Sequence, residues 1–424
     1  MEVLNAYSEA IAISLVVIIS YIFNAISKKT GIPSVLLLII LGFGAQQFLL
    51  TIEVDLSMLI QEALELLGVI GLIMIVLEAA LDLKLEKEKQ PLLIKSLVVA
   101  LLSLVLTALA IAKTLNYFII DDFYRAMMYA VPLSILSSAI IIPSVANLVP
   151  VKKEFMIYES TFSDILGIMF FYFLIGSADS ETTSEVVGEV SLSILLTVVL
   201  SLLISYGMVL LLQNLQSKVK LFFLISVLVL LYAVGKMFHL SSLLIIMVFG
   251  LVLNNSEVFF RGKLKKLLRK GPLVRILEDF HIVTMESAFV VRTFFFVIFG
   301  MTLDFSGLGD LTAIYIALAI LVITYVIRYV MLKGIVRKNI FPLVWIAPRG
   351  LITILLFFSI PDNFKDQNFN ASILLIVILA TSFIMSGALI SNKEDLEEKD
   401  ELNFDDWEEL DREIAELTKE DSNA

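Results

Sequence analysis

The sequence predicts an all-α polytopic membrane protein with about thirteen transmembrane helices. Three observations carry that expectation: an apolar composition, a series of stretches long enough to span a bilayer, and positive charge confined to alternate loops. Of 424 residues, 59% are hydrophobic and 17% charged, and the mean hydropathy is +0.95. Soluble domains hold roughly 45–50% apolar and about 25% charged residues. There is no cysteine, and His239 and His281 are the two histidines, so disulfides, thiolate metal sites and cysteine nucleophiles are excluded. The formal charge of -11 resides in residues 392–424, which hold 15 acidic and 4 basic side chains, and the rest of the chain is balanced. A balanced body excludes a basic surface made for nucleic acid. No cofactor is expected.

An apolar helix of about 20 residues crosses the roughly 30 Å hydrocarbon core. Such stretches fall at 7–27, 33–51, 58–83, 92–114, 126–150, 155–176, 189–213, 219–237, 240–254, 284–303, 311–333, 340–360 and 370–390. The first is not a cleaved leader, because Lys28 and Lys29 follow its apolar run instead of preceding it. One set of alternate loops carries nineteen Lys and Arg, including seven from Arg261 to Arg275, against three (Arg125, Lys236 and Lys365) in the other. Cytoplasmic loops hold the positive excess, which puts the N-terminus outside and the acidic tail inside a cell or inner membrane.

Thirteen spans divide as six, one and six, giving the two halves opposite orientation, as in inverted-repeat transporters. The expected organisation is a transmembrane domain over 1–390, with repeat one at 7–176, a linking helix at 189–213 and repeat two at 219–390, followed by an acidic cytoplasmic tail at 391–424. The fifth span contains Pro132 and Pro143, and its counterpart, the twelfth, contains Pro342 and Pro348. Interior prolines remove backbone bonds, and paired breaks in corresponding spans point to a midplane binding site.

A charge at mid-bilayer costs at least roughly 2.5–3.5 kcal/mol, so each needs a partner, water or a function. Glu159 and Asp164 lie in the sixth span, Arg328 in the eleventh and Arg349 in the twelfth. At about 1.5 Å per residue, Glu159 is about 6 Å deep and Arg328 about 7 Å, whereas Asp164 and Arg349 are both about 13 Å deep. Glu159 and Asp164 stand about 140° apart around their helix and do not share one small ion. Glu159 and Arg328 therefore read as a buried structural ion pair. Asp164 is left as the titratable ligand that holds either a proton or a monovalent cation, with Ser163 and Ser138 as neutral oxygens and Pro143 as a source of freed carbonyls. Thr161 and Ser137 are further candidates, or helix-packing hydroxyls. A structural salt bridge between Asp164 and Arg349 is the competing reading. Glu78 and Arg292 are near span ends, where snorkelling or anchoring competes with function.

The run Glu159-Ser160-Thr161-Phe162-Ser163-Asp164 resembles the Glu-Ser-x-x-Asn-Asp element of the monovalent cation:proton antiporter superfamily, in its sodium/proton exchanger branch. TGIPSVLLLIILG (30–42), VLEAALDL (76–83), VVRTFFFVIFGMTLDF (290–305) and APRGLITILLFFSIP (347–361) resemble further family elements in the same order. The resemblance implies crossed, partly unwound fifth and twelfth helices, a core that moves against a dimerisation domain, and a homodimer. It also implies that Asp164 binds proton and cation in turn, that Glu159 pairs with Arg328, and that Arg349, with Pro143 and Pro348, supports the unwound region. Two departures stand out. Ser163 replaces the family's asparagine, and Ile142 replaces its helix-five aspartate before Pro143. Loss of that carboxylate removes an expected ion ligand, which weakens the case for sodium selectivity and makes the larger, less strictly coordinated K⁺ a candidate; Na⁺, K⁺ or Li⁺, with H⁺, are the expected substrates.

The expected activity is one-for-one, electroneutral exchange of a monovalent cation for a proton by alternating access, and not an enzymatic reaction. A sodium-coupled organic-anion symporter, with Arg349 holding the substrate carboxylate, and a non-transporting membrane sensor are the alternatives. In the tail, Trp407, Leu410, Ile414 and Leu417 form a narrow apolar stripe that either packs on the basic Arg261–Arg275 loop or belongs to a solvated segment.

Overall fold

The computed structural model describes residues 6–30, 33–51, 57–83, 85, 89–145, 148–176, 183–214, 221–237, 242–260, 270–302, 310–337, 339–366 and 368–391. The acidic tail with its stripe, His239 and the basic run from Arg261 to Arg269 lie outside these residues. Within them the regular structure is helical: α1 (Ala6–Thr30), α2 (Ser34–Thr51), α3 (Ser57–Asp82), α4 (Gln90–Phe118), α5 (Phe123–Ser134), α6 (Ser138–Ser144), α7 (Pro150–Gly176), α8 (Thr183–Asn214), α9 (Leu221–Met237), α10 (Ser242–Asn254), α11 (Ser256–Phe259), α12 (Lys270–Thr302), α13 (Leu311–Ile335), α14 (Leu351–Phe358) and α15 (Ser372–Ser391). Each apolar stretch falls on one helix, except the fifth, on α5 and α6, and the twelfth, on a 3-10 turn (Leu343–Trp345), an extended segment and α14. Eight described stretches are long and apolar enough to cross a membrane, and three shorter apolar ones lie in α8, α9 and α10.

Local chemistry explains the helix starts nearest the site. Asp122 caps α5 by accepting the Tyr124 N–H, and Asp310 caps α13 by accepting the Thr312 N–H. That N–H, together with the Asn370 amide, holds the Asp310 carboxyl below the usual carboxylate range. On α13 the exposed residues Leu311, Tyr315, Leu318, Val322 and Val326 follow helical spacing, while Ala317, Ile320, Thr324 and Arg328 are buried. An apolar outer stripe with polar groups turned inward suits a helix whose solvent is lipid.

Helix packing falls into two groups. One comprises α4 to α7 with α13 to α15, and the other α1 to α3 with α8 to α12; contacts between them, such as α10 on α7 and α1 on α6, are few. Pairing within the groups is two-fold. The second span packs on the tenth as the ninth packs on the third, and the fourth packs on the sixth as the eleventh packs on the thirteenth.

The two-fold relation extends to single residues. Gly42 is the ninth residue of α2 and Gly250 the ninth of α10, while Gly300 and Ala80 each stand two residues before the end of α12 and α3. A Cβ on Gly42 would collide with the Val297 carbonyl, one on Gly300 with the Ile39 carbonyl, and one on Gly250 with the Ala80 methyl. Small residues thus let α2 and α12 touch backbone to backbone and let α10 seat its backbone on the Ala80 methyl of α3. Gly300→Val is expected to destabilise the α2–α12 contact by about 1–3 kcal/mol or more. The loss is read as a lower unfolding temperature of detergent-extracted protein, and an unchanged temperature would show that the contact yields.

Candidate functional site

The fifth span breaks at Ile135–Ser137, not at either proline. Pro132 lies in the last turn of α5 and Pro143 inside α6. Pro132 removes one backbone bond inside α5, yet the helix continues past it to Ser134. In the twelfth span the chain leaves the 3-10 turn at Trp345, runs extended through Pro348 to Gly350, and resumes as α14. The two breaks lie against each other: the Ser137 N–H donates to the Pro348 carbonyl at 3.0 Å, and a Cβ on Gly350 would meet the Ser137 hydroxyl. Glycine at 350 is therefore what lets the two unwound segments meet.

Backbone groups released by unwinding need new partners in a medium without water. The side chains around the crossing supply them in sequence order. Arg349 Nη1 donates to the Ile135 carbonyl at 3.0 Å, Ser163 Oγ accepts the Leu136 N–H at 2.9 Å, and Asp164 Oδ2 accepts the Ser138 N–H at 3.1 Å. On the other break, Thr381 Oγ1 accepts the Arg349 N–H at 3.1 Å and donates to Val377. Ser163 on α7 and Thr381 on α15 thus serve the two breaks alike. Thr381→Val is expected to leave a buried N–H unpaired at a cost of about 1–3 kcal/mol, with Thr381→Ser close to wild type, in thermal unfolding. Equal losses in both would show that the methyl group matters instead.

Glu159 and Arg328 are fully sequestered, at 0% and 3% side-chain exposure, and joined twice, at 2.7 and 3.1 Å. Arg328 Nε also donates to the Leu343 carbonyl at 2.9 Å, which fixes the 3-10 turn of the twelfth span to α13. Asp164 is 3% exposed and Arg349 2% exposed, and no ion pair joins them. Asp164 Oδ1 is buried with no partner, as are Thr161 Oγ1 and Ser137 Oγ.

A cavity of about 510 Å³ lies between the two packing groups, lined by the later parts of α1 and α3, the start of α2, α6, and α12 from its middle onward. Its lining includes Ser138, Ile142 and Pro143 from α6, so it reaches the residue whose N–H Asp164 holds. Its wall carries a pair the sequence left unmatched: Arg292 contacts Glu78 at 3.3 Å. One turn further along α3, Asp82 on the same wall meets His281 at 2.7 Å. Two acids four residues apart near one span end, and two bases on one later span, are the signal that could have joined them.

This is the architecture of a cation:proton antiporter. The chain belongs to the sodium/hydrogen exchanger family: residues 12–390 match the profile of its transmembrane domain. That family consists of ion transporters, not enzymes, and the protein is multi-pass in the membrane. No curated protein sequence matches the chain. Two solved structures of the sodium proton antiporter MjNhaP1 from Methanocaldococcus jannaschii are similar in fold. One, determined at pH 8, has a TM-score of 0.67 at 18% identity and covers 92% of this chain and 100% of that one. The other, from electron microscopy, has a TM-score of 0.61 at 16% identity and covers 92% and 96%.

Proposed function

We propose that the protein exchanges one monovalent cation, Na⁺, K⁺ or Li⁺, for one proton by alternating access, with Asp164 as the group that holds one or the other. The observation that carries this reading is the state of the Asp164 carboxyl. One oxygen is tied to the Ser138 N–H beside the cavity, and the other is buried and unsatisfied. An unsatisfied buried carboxylate oxygen is costly, and either a proton or a cation removes that cost. The second buried carboxylate, Glu159, is consumed by Arg328, so a single carboxyl cycles and the exchange is electroneutral.

Ser163 holds the Leu136 N–H, whereas Ser138 lines the cavity and meets Asp164 through both its N–H and its side chain, so Ser138 is the nearer neutral ligand. Ile142 lines the approach with a hydrocarbon side chain, which demands less of the ion's coordination shell than a second carboxylate would. The group containing α4 to α7 and α13 to α15 is the moving core, α8 is the linking helix between repeats, and the remaining helices form the scaffold and the homodimer contact. By the excess of Lys and Arg in alternate loops, the cavity opens to the cytoplasm, the N-terminus lies outside and the tail inside. Arg349 is 2% exposed with its guanidinium turned to Ile135, and the arginine on the cavity wall, Arg292, is paired with Glu78, which argues against an organic carboxylate as substrate.

The test is collapse of an imposed pH gradient in proteoliposomes by Na⁺, K⁺ or Li⁺, with membrane potential varied by valinomycin. A cation-specific collapse that is indifferent to potential supports the reading. A rate that follows potential would exclude one-for-one exchange, and no response to any cation would exclude exchange altogether.

A further inference from the structure

When Asp164 holds its proton or its cation, Arg349 is left as a buried positive charge that no protein group among the described residues balances. Glu159, Asp164, Arg328 and Arg349 are each 3% exposed or less. Glu159 and Arg328 neutralise one another. Arg349 makes no ion pair among the described residues, and the groups in electrostatic range of it are Tyr325, Arg328 and Glu159. Its neighbourhood therefore contains two guanidiniums and one carboxylate.

The hydrogen bonds show the same imbalance. Arg349 uses its backbone N–H on Thr381 and Nη1 on Ile135, but its Nε is buried with no acceptor. The hydroxyl of Tyr325 on α13 and that of Ser382, next to Thr381 on α15, are likewise buried without a partner. The eight-residue helix α14 begins just after Gly350, with no side chain capping its first N–H groups. Every one of these groups can donate a hydrogen bond, and a helix N-terminus beside an arginine favours negative charge.

We propose that one small monovalent anion of the halide class, chloride in the cell, binds beside Arg349, between its Nε–H, the hydroxyls of Tyr325 and Ser382, and the N-terminus of α14. Its consequence for transport rests on the exchange reading above. With the anion in place, the proton-loaded and cation-loaded cores are both neutral, and the empty core carries one negative charge. Without it, both loaded cores are positive and the empty one is neutral. Carrying an uncompensated charge through a low-dielectric interior is costly. The anion thus makes the empty carrier the state that does not cross, and so couples proton to cation.

The experiment uses the full-length protein. In detergent, chloride and bromide are compared with gluconate at equal ionic strength, and the unfolding temperature is followed against halide concentration. The site predicts a saturable rise of a few degrees, with the midpoint shifted several-fold upward in Ser382→Ala and in Tyr325→Phe. Ser386→Ala should match wild type, because its hydroxyl is used within α15 on the Ser382 carbonyl. In proteoliposomes, gluconate should lower the proton-to-cation ratio by admitting empty returns. No halide-specific rise, or midpoints unchanged in both variants, overturns the site and leaves an ordered water there. A saturable rise with an unchanged ratio overturns the coupling argument. A saturable rise in a protein that exchanges nothing supports the site and removes the exchange reading instead.

Discussion

Asp164→Asn is expected to reduce cation-driven proton flux to the background of protein-free vesicles while the protein still folds. Asparagine keeps an oxygen for the Ser138 N–H that the aspartate accepts at 3.1 Å. It cannot ionise, so it offers neither a proton-binding anion nor a charge to offset a dehydrated cation. Folding is checked by unfolding temperature and gel filtration, and flux by a pH-sensitive dye inside the vesicles. Asp164→Glu should retain residual flux with a weaker apparent cation affinity, because the longer side chain moves the charge away from the α6 backbone. Flux in Asp164→Asn above background would assign the exchanging group elsewhere.

The second large effect is on stability. Glu159→Gln leaves Arg328 ionised, buried and facing a neutral amide, at an expected cost of about 3–5 kcal/mol. Against a net stability of about 5–15 kcal/mol for a typical folded domain, such a loss removes most of the extractable, monodisperse protein. The double variant Glu159→Leu with Arg328→Met should recover much of that loss, because no lone charge remains. Recovery will be incomplete. Arg328 Nε also holds the Leu343 carbonyl, and an unpaired buried carbonyl costs about 1–3 kcal/mol. If the double variant is as unstable as the single, the pair acts through shape instead of charge.

Much of the architecture is written in the sequence because the bilayer is a strict solvent. Span positions follow from hydropathy alone, and the thirteen stretches coincide with helices or half-helices. The level of Glu159 and Arg328 follows from counting residues from the membrane edge, and the structure joins them at 2.7 Å. The position of the breaks was less legible. Prolines at 132 and 143 bracket the interruption, but the unwound residues are Ile135 to Ser137, chosen by partners remote in sequence: Ser163, Asp164, Pro348 and Arg349. No local pattern encodes such partners.

Arg349 shows the same limit. Its depth matches Asp164, which invites a salt bridge, yet its guanidinium turns to the Ile135 carbonyl. Equal depth fixes height in the membrane and leaves rotation about the helix undetermined. The cavity wall was legible only in part, because Glu78 and Arg292 near span ends look alike whether they snorkel to water or pair across two helices. The serine at 163 is explained by reach: its short hydroxyl meets the Leu136 N–H at 2.9 Å across a gap that Gly167, one turn on, keeps open for the Ile135 side chain.

The most direct measurement is of proton release when cation is added to the purified protein in weakly buffered detergent solution, near the pH at which exchange is fastest. Competition at one carboxyl predicts release of about one proton per chain, saturating with the responding cation, and none from Asp164→Asn. Saturable cation binding without proton release, or equal release from Asp164→Asn, would contradict the account.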